Sequence, residues 1–400
     1  MIKRKRALVI AMTAALGFTA AACGDDDESS DSTAAAGATD TTMADTGSTM
    51  GDTGTAMADT AATTGDTGDS APTGSMAPAV EAPAVGLLFD ITGRGDRSFN
   101  DAAAAGLDQA TSDLGAVGTE STPSSDGDRA ERLAGLVDAG NDLVIGVGFL
   151  WQPALQAAAA ETPDQLFALI DAVAIDDPDG DFEGPPLPNV ASLVFAEEQG
   201  SFLVGAAAAL KSQTGTVGFI GGVETDLIKK FEAGFQAGAE AANPDVEVLV
   251  QYITQPPDFA GFNDPARGKE IAASMYGDGA DVVYSAAGGS GLGALEAASE
   301  AGAPGEVWGI GVDSDVYNLV EPALQPYVLT SMLKKVDVAV FDTIEALTAG
   351  EFVGGVQTFD LASGGVDYST TGGFVDDIAD QLDDFKQQII DGEIEVPTAP

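Results

Sequence analysis

The chain has 400 residues, 44% of them apolar, which is enough to bury the cores of two or three ordinary domains. It carries 64 acidic and 16 basic side chains, and a net charge of −48 excludes nucleic acid as a natural partner because phosphate backbones are repelled. Histidine is absent and cysteine occurs once. These counts exclude Ser-His-Asp and Cys-His nucleophilic sites, histidine-based zinc sites and disulfides within the chain. We expect no cofactor and no metal.

The N-terminus has the pattern of an export signal. Four basic residues, Lys3–Arg6, precede a short apolar run over 7–20, and small residues follow it. This segment is similar to a bacterial lipoprotein signal. We therefore predict a signal peptide over 1–22 and a lipid anchor on Cys23, at the extracytoplasmic face of the cell membrane. A plain secreted protein with a free thiol at Cys23 is the alternative, because ordinary signal peptidase would cut the same bond.

The next segment is acidic and of low complexity. Residues 24–84 contain no Lys, Arg, Leu, Ile or aromatic residue and 12 acidic ones. Such a composition buries too little apolar surface to offset the entropy of ordering the chain. We predict a disordered tether over 23–84, which as a flexible coil averages roughly 40–50 Å from end to end. It would hold a folded body away from a membrane surface.

From Val85 onward, short apolar runs alternate with longer amphipathic ones. Nine runs are typical of strands: 85–89, 143–147, 166–170, 190–195, 217–220, 246–252, 282–285, 307–312 and 328–332. Eight runs are typical of helices: 99–114, 129–139, 153–160, 198–211, 227–242, 265–276, 292–301 and 336–349. Repeated strand–helix units of about 30 residues predict parallel sheets covered by helices on both faces.

An alanine-rich helix ends in a polar turn near Thr214, and a new strand–helix series begins at Thr216. We therefore predict an α/β protein of two lobes, each a parallel sheet flanked by helices. The first lobe is predicted over 85–200 and the second over 201–325. Residues 326–400 are predicted to return to the first lobe and then cross to the second.

Three predicted strands end in aspartate. Asp90, Asp171 and Asp313 follow strands from both halves of the chain. In open parallel sheets, ligands bind outside the carboxyl ends of the strands, so these carboxylates are expected around one cleft. Because a carboxylate only accepts hydrogen bonds, such a cleft suits sugars, nucleosides or amines and not phosphates. Each aspartate taken alone also fits a helix N-cap or a turn.

Aromatic residues are scarce, at 6% of the chain, so their positions are informative. Phe99 lies nine residues after Asp90, and Phe231 begins a pair spaced by one helical turn with Phe235. A planar ligand between two rings would gain stacking and burial. Phe99 and Phe231 suit this role and a core role equally, whereas Phe235 and Trp151 fit an ordinary core better.

A series of segments then resembles the basic-membrane-protein family of ABC-transporter substrate-binding lipoproteins, which includes the purine nucleoside receptor. The segments run in family order from Val85 to about Gly350. They are 89–90 with 98–101 (FD and SFND), 168–173 (ALIDAV), 198–205 (EQGSFLVG), 217–222 (VGFIGG), 231–235 (FEAGF), 287–291 (AGGSG), 311–315 (GVDSD) and 329–337 (LTSMLKKVD). Together they are specific, although no single segment would be.

This resemblance implies a type I periplasmic-binding fold that closes on a nucleoside, preferably a purine nucleoside, and then docks on an ABC permease. It also implies a role for each matched residue. Asp90 would hydrogen-bond the base, supported by Asn100, and the rings of Phe99 and Phe231 would stack on the two faces of the base. Ribose hydroxyls would be bound by Asp171, Asp313 and Lys334, which could also bind each other, and the turn at Gly288 and Gly289 would let the backbone approach the ligand. Three features depart from the family pattern: the long acidic tether, a proline-rich insertion around Gln255–Gly261 and an acidic loop at Asp176–Gly184. The insertion is expected to alter the rim of the cleft.

Three other functions remain open at this point. A hydrolase could use paired carboxylates such as Asp90 and Asp313, although the resemblance carries no catalytic motif. A receptor for another small hydroxylated solute would use the same cleft. A ligand-sensing co-receptor or a structural surface lipoprotein would need no permease.

Overall fold

The structure is a computed structural model and describes residues 77–177, 180 and 183–400. The predicted signal peptide, Cys23 and most of the predicted tether lie outside these residues. The last tether residues do lie against the body, because the Val80 N–H donates to the Leu347 carbonyl at 3.3 Å and Ala84 begins the first strand. Within the described residues, no helix combines the length and the apolar character that crossing a membrane requires.

Twelve described strands form two six-stranded sheets. The first sheet has the order β11-β5-β4-β3-β1-β2 and contains β1 (Ala84–Leu88), β2 (Val117–Ser121), β3 (Leu143–Gly146), β4 (Leu166–Ile170), β5 (Val190–Phe195) and β11 (Gly355–Phe359). The second sheet has the order β12-β10-β9-β8-β6-β7 and contains β6 (Thr216–Val223), β7 (Glu247–Thr254), β8 (Val282–Ala286), β9 (Trp308–Asp313), β10 (Val328–Lys334) and β12 (Val366–Tyr368). Only the β10–β12 pair is antiparallel among the described pairs. The predicted α/β architecture of mainly parallel sheets is confirmed.

Nine α-helices of the described residues cover these sheets. They are α1 (Phe99–Asp113), α2 (Arg129–Asp138), α3 (Gln152–Glu161), α4 (Glu197–Lys211), α5 (Asp226–Ala242), α6 (Pro265–Gly277), α7 (Gly291–Ala301), α8 (Val336–Ala349) and α9 (Ala379–Ile390). The eight predicted helices agree with α1 to α8 to within two residues at each end. The sequence prediction missed α9.

The strands that the sequence prediction missed all lie at sheet edges. β2 and β11 form the two edges of the first sheet, and β12 forms one edge of the second. An edge strand is covered on fewer sides, so it lacks the continuous apolar run of a central parallel strand. In β2, for example, four of the five residues are exposed. The central strands β3 and β8 are buried along their whole length.

The chain passes between the two sheets at three places. It leaves β5 for α4 at 195–197, leaves β10 for α8 (which packs against α1) at 334–336, and leaves β11 for β12 at 359–366. These crossings are joined to one another, because the Ala196 N–H donates to the Phe359 carbonyl at 3.0 Å and the Lys335 N–H to the Gly365 carbonyl at 2.9 Å. The predicted lobe boundaries within 85–400 remain a prediction.

Helices α4 and α5 pack with their backbones in close approach. A Cβ atom on Gly234 or Gly238 of α5 would lie 2.1 or 1.9 Å from a backbone carbonyl oxygen of α4. A Cβ on Gly205 of α4 would lie 2.1 Å from the Phe235 carbonyl oxygen. Only glycine fits at these positions, so the seam between α4 and α5 has little freedom to shift.

Candidate functional site

One hollow lies where strand ends from the two sheets meet. Its empty space, including solvent at the mouth, is about 670 Å³, within the range of roughly 300–1,000 Å³ that is usual for small-ligand sites. Eight sequence-predicted site residues line it: Asp90, Phe99, Asn100, Asp171, Phe231, Gly288, Asp313 and Lys334. Gly289 is buried in the turn before α7 and does not belong to the lining, and Cys23 lies outside the described residues.

One end of the hollow is built around Asp90, just after β1. The backbone N–H of Asp90 donates to Oδ1 of Asn100 at 2.9 Å. The Nδ2 group of Asn100 donates to Thr92 Oγ1 at 3.1 Å and to Asp96 Oδ2 at 2.9 Å. Both amide protons of Asn100 are therefore used within the protein. The amide is therefore held in place beside Asp90.

Behind Asp90 lies a buried arginine that the sequence prediction did not single out. Nη2 of Arg129, the first residue of α2, donates to Asp90 Oδ1 at 3.0 Å. The guanidinium also lies over the ring of Trp151, 4.8 Å from its centroid. Trp151 is fully buried and its indole N–H donates to the Phe89 carbonyl at 3.0 Å. These contacts join three elements behind one carboxylate.

A glycine makes room for this end of the hollow. Gly148, just after β3, has φ +100°, and a Cβ there would lie 3.1 Å from Asp90 Oδ2 and 3.4 Å from the Phe99 ring. A side chain at this position would be strained and would press on both groups. The positions of the Asp90 and Phe99 side chains therefore depend on Gly148, which lies 49 residues after Phe99 in the chain.

The other end of the hollow is built around Lys334, the last residue of β10. Its Nζ lies 2.6 Å from Asp171 Oδ1 and 3.1 Å from Glu197 Oε1, and the Lys334 side chain is only 2% exposed. Oε2 of Glu197 contacts Lys230 Nζ at 3.2 Å. Burial alone would lower the pKa of Lys334, but the carboxylates of Asp171, Glu197 and Asp313 outweigh it and raise that pKa above its ordinary value. Lys334 is therefore charged at neutral pH.

Asp171 and Asp313 both have a left-handed backbone at the end of a parallel strand. Their φ angles are +69° and +64°, a region that costs energy for residues other than glycine and is best tolerated by Asn and Asp. Burial raises the pKa of Asp313 to about 6, although Lys334 and a hydrogen bond from the Ser98 hydroxyl act in the opposite direction. Burial likewise raises the pKa of Asp171, against the effect of Lys334.

Aromatic rings surround the Lys334 ammonium group. Its Nζ lies 5.2 Å from the ring centroid of Phe99, 5.0 Å from that of Phe195 and 5.6 Å from that of Phe231. Phe99 begins α1 on the side of the first sheet, and Phe231 lies in α5 on the side of the second. Two rings from different halves of the chain therefore reach the same hollow.

The inserted segment Gln255–Gly261 contacts one residue that lines the hollow. The ring of Phe259 in this segment meets the ring of Phe149 edge to face, with centroids 5.9 Å apart. Phe149 follows β3 of the first sheet, whereas Phe259 follows β7 of the second. Phe149 and Phe262, which follows the insertion, line the hollow. An effect of the insertion on the rim remains a prediction.

Chemically, the hollow offers hydrogen-bond acceptors and flat apolar walls. The carboxylates of Asp90, Asp171 and Asp313 accept hydrogen bonds, and each already has a partner within the protein. The rings of Phe99, Phe149, Phe231 and Phe262 supply apolar surface. A planar, uncharged ligand with N–H and O–H groups fits this combination.

The sequence prediction missed several residues that shape this site. Glu197 follows β5 by two residues, so the rule that identified the strand-end aspartates would have found it as well. Arg129 lies 39 residues from Asp90 and gave no local signal, because only the packing of α2 brings it to β1. Gly148 follows a predicted strand, but nothing in the sequence indicates which side chains approach it.

Comparisons with known proteins show the family of the chain. Residues 84–399 match the family model described as ABC transporter substrate-binding protein PnrA-like. The chain is 35% identical over 326 residues to the ABC transporter nucleoside-binding protein BmpA of Lactococcus lactis subsp. cremoris, covering 78% of this chain and 88% of that protein. It is 33% identical over 322 residues to basic membrane protein A of Borreliella burgdorferi, covering 80% and 88%.

A similar solved structure is that of an ABC transporter solute-binding protein from Aeropyrum pernix K1. It shares 31% sequence identity and superposes with a TM-score of 0.67 over 79% of this chain and 93% of that one. The likeness confirms the predicted fold of a periplasmic solute-binding protein.

Proposed function

This chain belongs to the family of PnrA-like ABC transporter substrate-binding proteins, which are solute-binding proteins and not enzymes, and on that premise we propose that it is the receptor for a purine nucleoside. The nucleoside binds in the hollow between the two sheets. The receptor then presents it to the permease of an ABC importer. The relative from Lactococcus lactis, named as nucleoside-binding, supports this choice of ligand.

The observation that carries the proposal is the meeting of Phe99 and Phe231 in a hollow with acceptors at both ends. A purine base between the two rings gains stacking, and its N–H donors, on the ring or on an exocyclic amino group, reach the Asp90 end. Ribose hydroxyls are donors that suit the carboxylates of Asp171 and Asp313. Phosphate would be repelled by the same carboxylates, so the ligand is a nucleoside and not a nucleotide.

In this proposal the two sheets belong to lobes that rotate about the three crossings. A ligand favours the closed arrangement only if it contacts both lobes more strongly there than in an open one. Phe99 and Asp171 lie on the side of the first sheet, whereas Phe231 and Asp313 lie on that of the second. One nucleoside can therefore join them.

A thermal-shift panel tests the ligand class. The purified full chain is heated with inosine, guanosine, adenosine, uridine, free hypoxanthine, ribose or glucose. A ligand at 100 times its dissociation constant stabilises the folded state by about 2.7 kcal/mol, which raises the melting temperature by several degrees. Stabilisation by purine nucleosides is expected. Stabilisation by a sugar alone, or recovery of cleaved nucleoside from the incubation, would contradict the proposal.

We further propose that acylated Cys23 anchors the receptor to the outer face of the cell membrane, as the sequence predicts. Mass spectrometry of the N-terminal peptide from membrane fractions tests this anchor. A lipid-modified Cys23 is the expected result, and Cys23→Ser should release the protein from the membrane fraction. An unmodified N-terminal cysteine in wild-type protein would favour the secreted alternative.

A further inference from the structure

We propose that Arg129 is a positioning residue that fixes Asp90 as an ionised acceptor, so that the site selects ligands that present an N–H donor to it. This inference rests on the proposed function, since it concerns the base end of the same hollow. Arg129 itself does not belong to the lining of the hollow and acts through Asp90.

Arg129 and Asp90 form a buried ion pair. The side chains of Arg129 and Asp90 are only 5% and 14% exposed, so water contributes little to their solvation. A carboxylate in such a place stays charged when a cation lies at hydrogen-bond distance, here 3.0 Å from Nη2 to Oδ1. The charged form accepts hydrogen bonds, whereas a protonated carboxyl would also present an O–H donor to the ligand.

The position of Arg129 is fixed by the ring over which it lies. A guanidinium is planar and stacks on aromatic faces, so an aromatic ring holds it in place more closely than it would hold a lysine ammonium. Arg129 is itself held by the ring of Trp151, at 4.8 Å, and that ring is held by its hydrogen bond to the Phe89 carbonyl. Phe89 directly precedes Asp90. The contacts therefore run from Asp90 through Arg129 and Trp151 back to Phe89, and both Asp90 and Phe89 lie at the end of β1.

Asn100 is fully engaged within the protein at this end of the hollow. Its two Nδ2 protons bind Thr92 and Asp96 and its oxygen accepts from the Asp90 N–H, so it offers the ligand no donor. The ionised carboxylate of Asp90 accepts hydrogen bonds and donates none, so it favours a base edge that carries N–H groups. A ligand that lacks the donor forgoes a hydrogen bond to a charged group, which is a strong source of selectivity.

The experiment compares inosine with 1-methylinosine, in which a methyl group replaces the single ring N–H of the base edge. Affinities of the full chain for both are measured by calorimetry. We expect wild-type protein to prefer inosine at least 10-fold. In Arg129→Gln, inosine should weaken about 10-fold while 1-methylinosine changes little, so the preference falls toward one.

The matched control is Arg132→Gln, one turn further along α2. Arg132 pairs with Asp128 at 2.8 Å and is 31% exposed, away from the hollow. This variant should keep the wild-type preference. In an Asp90→Asn background, Arg129→Gln should change the preference no further, because the group that Arg129 positions is already gone.

The outcomes separate two kinds of failure. If wild-type protein binds neither nucleoside, the proposed function fails. If it binds inosine but Arg129→Gln keeps the full preference, or weakens both ligands equally, only the role of Arg129 is overturned. If Arg129→Gln does not fold, Arg129→Lys decides the question. Lysine lacks the planar group that lies over Trp151, so a preference at least threefold below wild type is expected, and an unchanged preference overturns the inference.

Discussion

The two ends of the hollow are built in different ways. At one end, Asp90 follows β1, Asn100 lies in α1 and Arg129 begins α2. These three elements all lie on the side of the first sheet. At the other end, Asp171 comes from the first sheet, whereas Lys334 comes from the second. The Asp90 end can therefore exist within one half of the molecule. The Lys334 end exists only when strand ends of both sheets come together.

Under the proposed function, this difference predicts separate roles in ligand recognition and in closure. The Asp90 end would contact the base of a ligand before the halves close. The Lys334 end would add its contacts as the halves meet, so it would set how strongly the ligand favours the closed arrangement. Substitutions at the Lys334 end should change stability and overall affinity, whereas those behind Asp90 should change selectivity.

The largest effect is expected for Lys334→Met. Three buried carboxylates, those of Asp171, Glu197 and Asp313, would lose the cation between them. Breaking a buried ion pair by removing one partner costs about 3–5 kcal/mol of the free energy of unfolding. Denaturant unfolding at pH 7.5 measures this loss.

Lys335→Met is the control for this prediction. Lys335 is the next residue and is half-buried, outside the lining of the hollow. It should lose less than about 1 kcal/mol. A Lys334→Met protein as stable as the Lys335→Met protein would show that the cluster around Lys334 contributes little.

An intermediate effect is expected for Asp313→Asn, which removes one charged acceptor at the Lys334 end. Loss of a hydrogen bond to a charged group is worth about 1.5–3 kcal/mol, or about 10- to 150-fold in affinity for the nucleoside. Asp313→Ala should weaken binding as much, but it should also unfold more easily by about 1 kcal/mol. The reason is its φ of +64°, which Asn tolerates better than Ala. Unchanged affinity by calorimetry in both variants would remove Asp313 from the site.

The same aspartate predicts opposite pH dependences for stability and for affinity. Its pKa in the folded protein is about 6, above the ordinary value of 3.8. Because the folded pKa is raised, Asp313 adds stability that is fully present below about pH 4 and is lost as the pH rises through 6. Affinity should instead fall as the pH drops below 6, because the protonated carboxyl is a poorer acceptor. Asp313→Asn should reduce both trends between pH 7.5 and pH 5, while Asp171, whose pKa burial also raises to about 6, keeps part of them. Trends of wild-type size in that variant would assign them to other groups.

The smallest effect is expected at the rim, for Phe259→Leu. The edge-to-face pair with Phe149 is worth about 0.5–1.5 kcal/mol beyond its buried area, or about 2- to 12-fold. The contact joins the two halves only when they are close, so the nucleoside should dissociate faster while association changes little. Stopped-flow fluorescence measures both rates. A double-mutant cycle with Phe149→Leu isolates the pair, and additive effects would contradict a rim contact that retains the ligand.

The sequence predicted the features that depend on local patterns and missed those that depend on packing. Central strands such as β4 and β8 are continuous apolar runs, and the aspartates at strand ends follow from the geometry of parallel sheets. Edge strands such as β2 carry polar residues and left no such pattern. The resemblance to a family indicated Phe99 and Phe231, which spacing alone left undecided. Arg129 could not be predicted, because its partner lies on a different element.

The glycine seam between α4 and α5 has a mechanical consequence. Gly234 of α5 touches the carbonyl of Glu198, which directly follows the Lys334 partner Glu197, and lies three residues after Phe231. Backbone lies on both sides of the contact and no side chain there can move aside, so the two helices move as one rigid unit. A bulkier ligand that pushes on the Phe231 ring must therefore displace Glu197 as well.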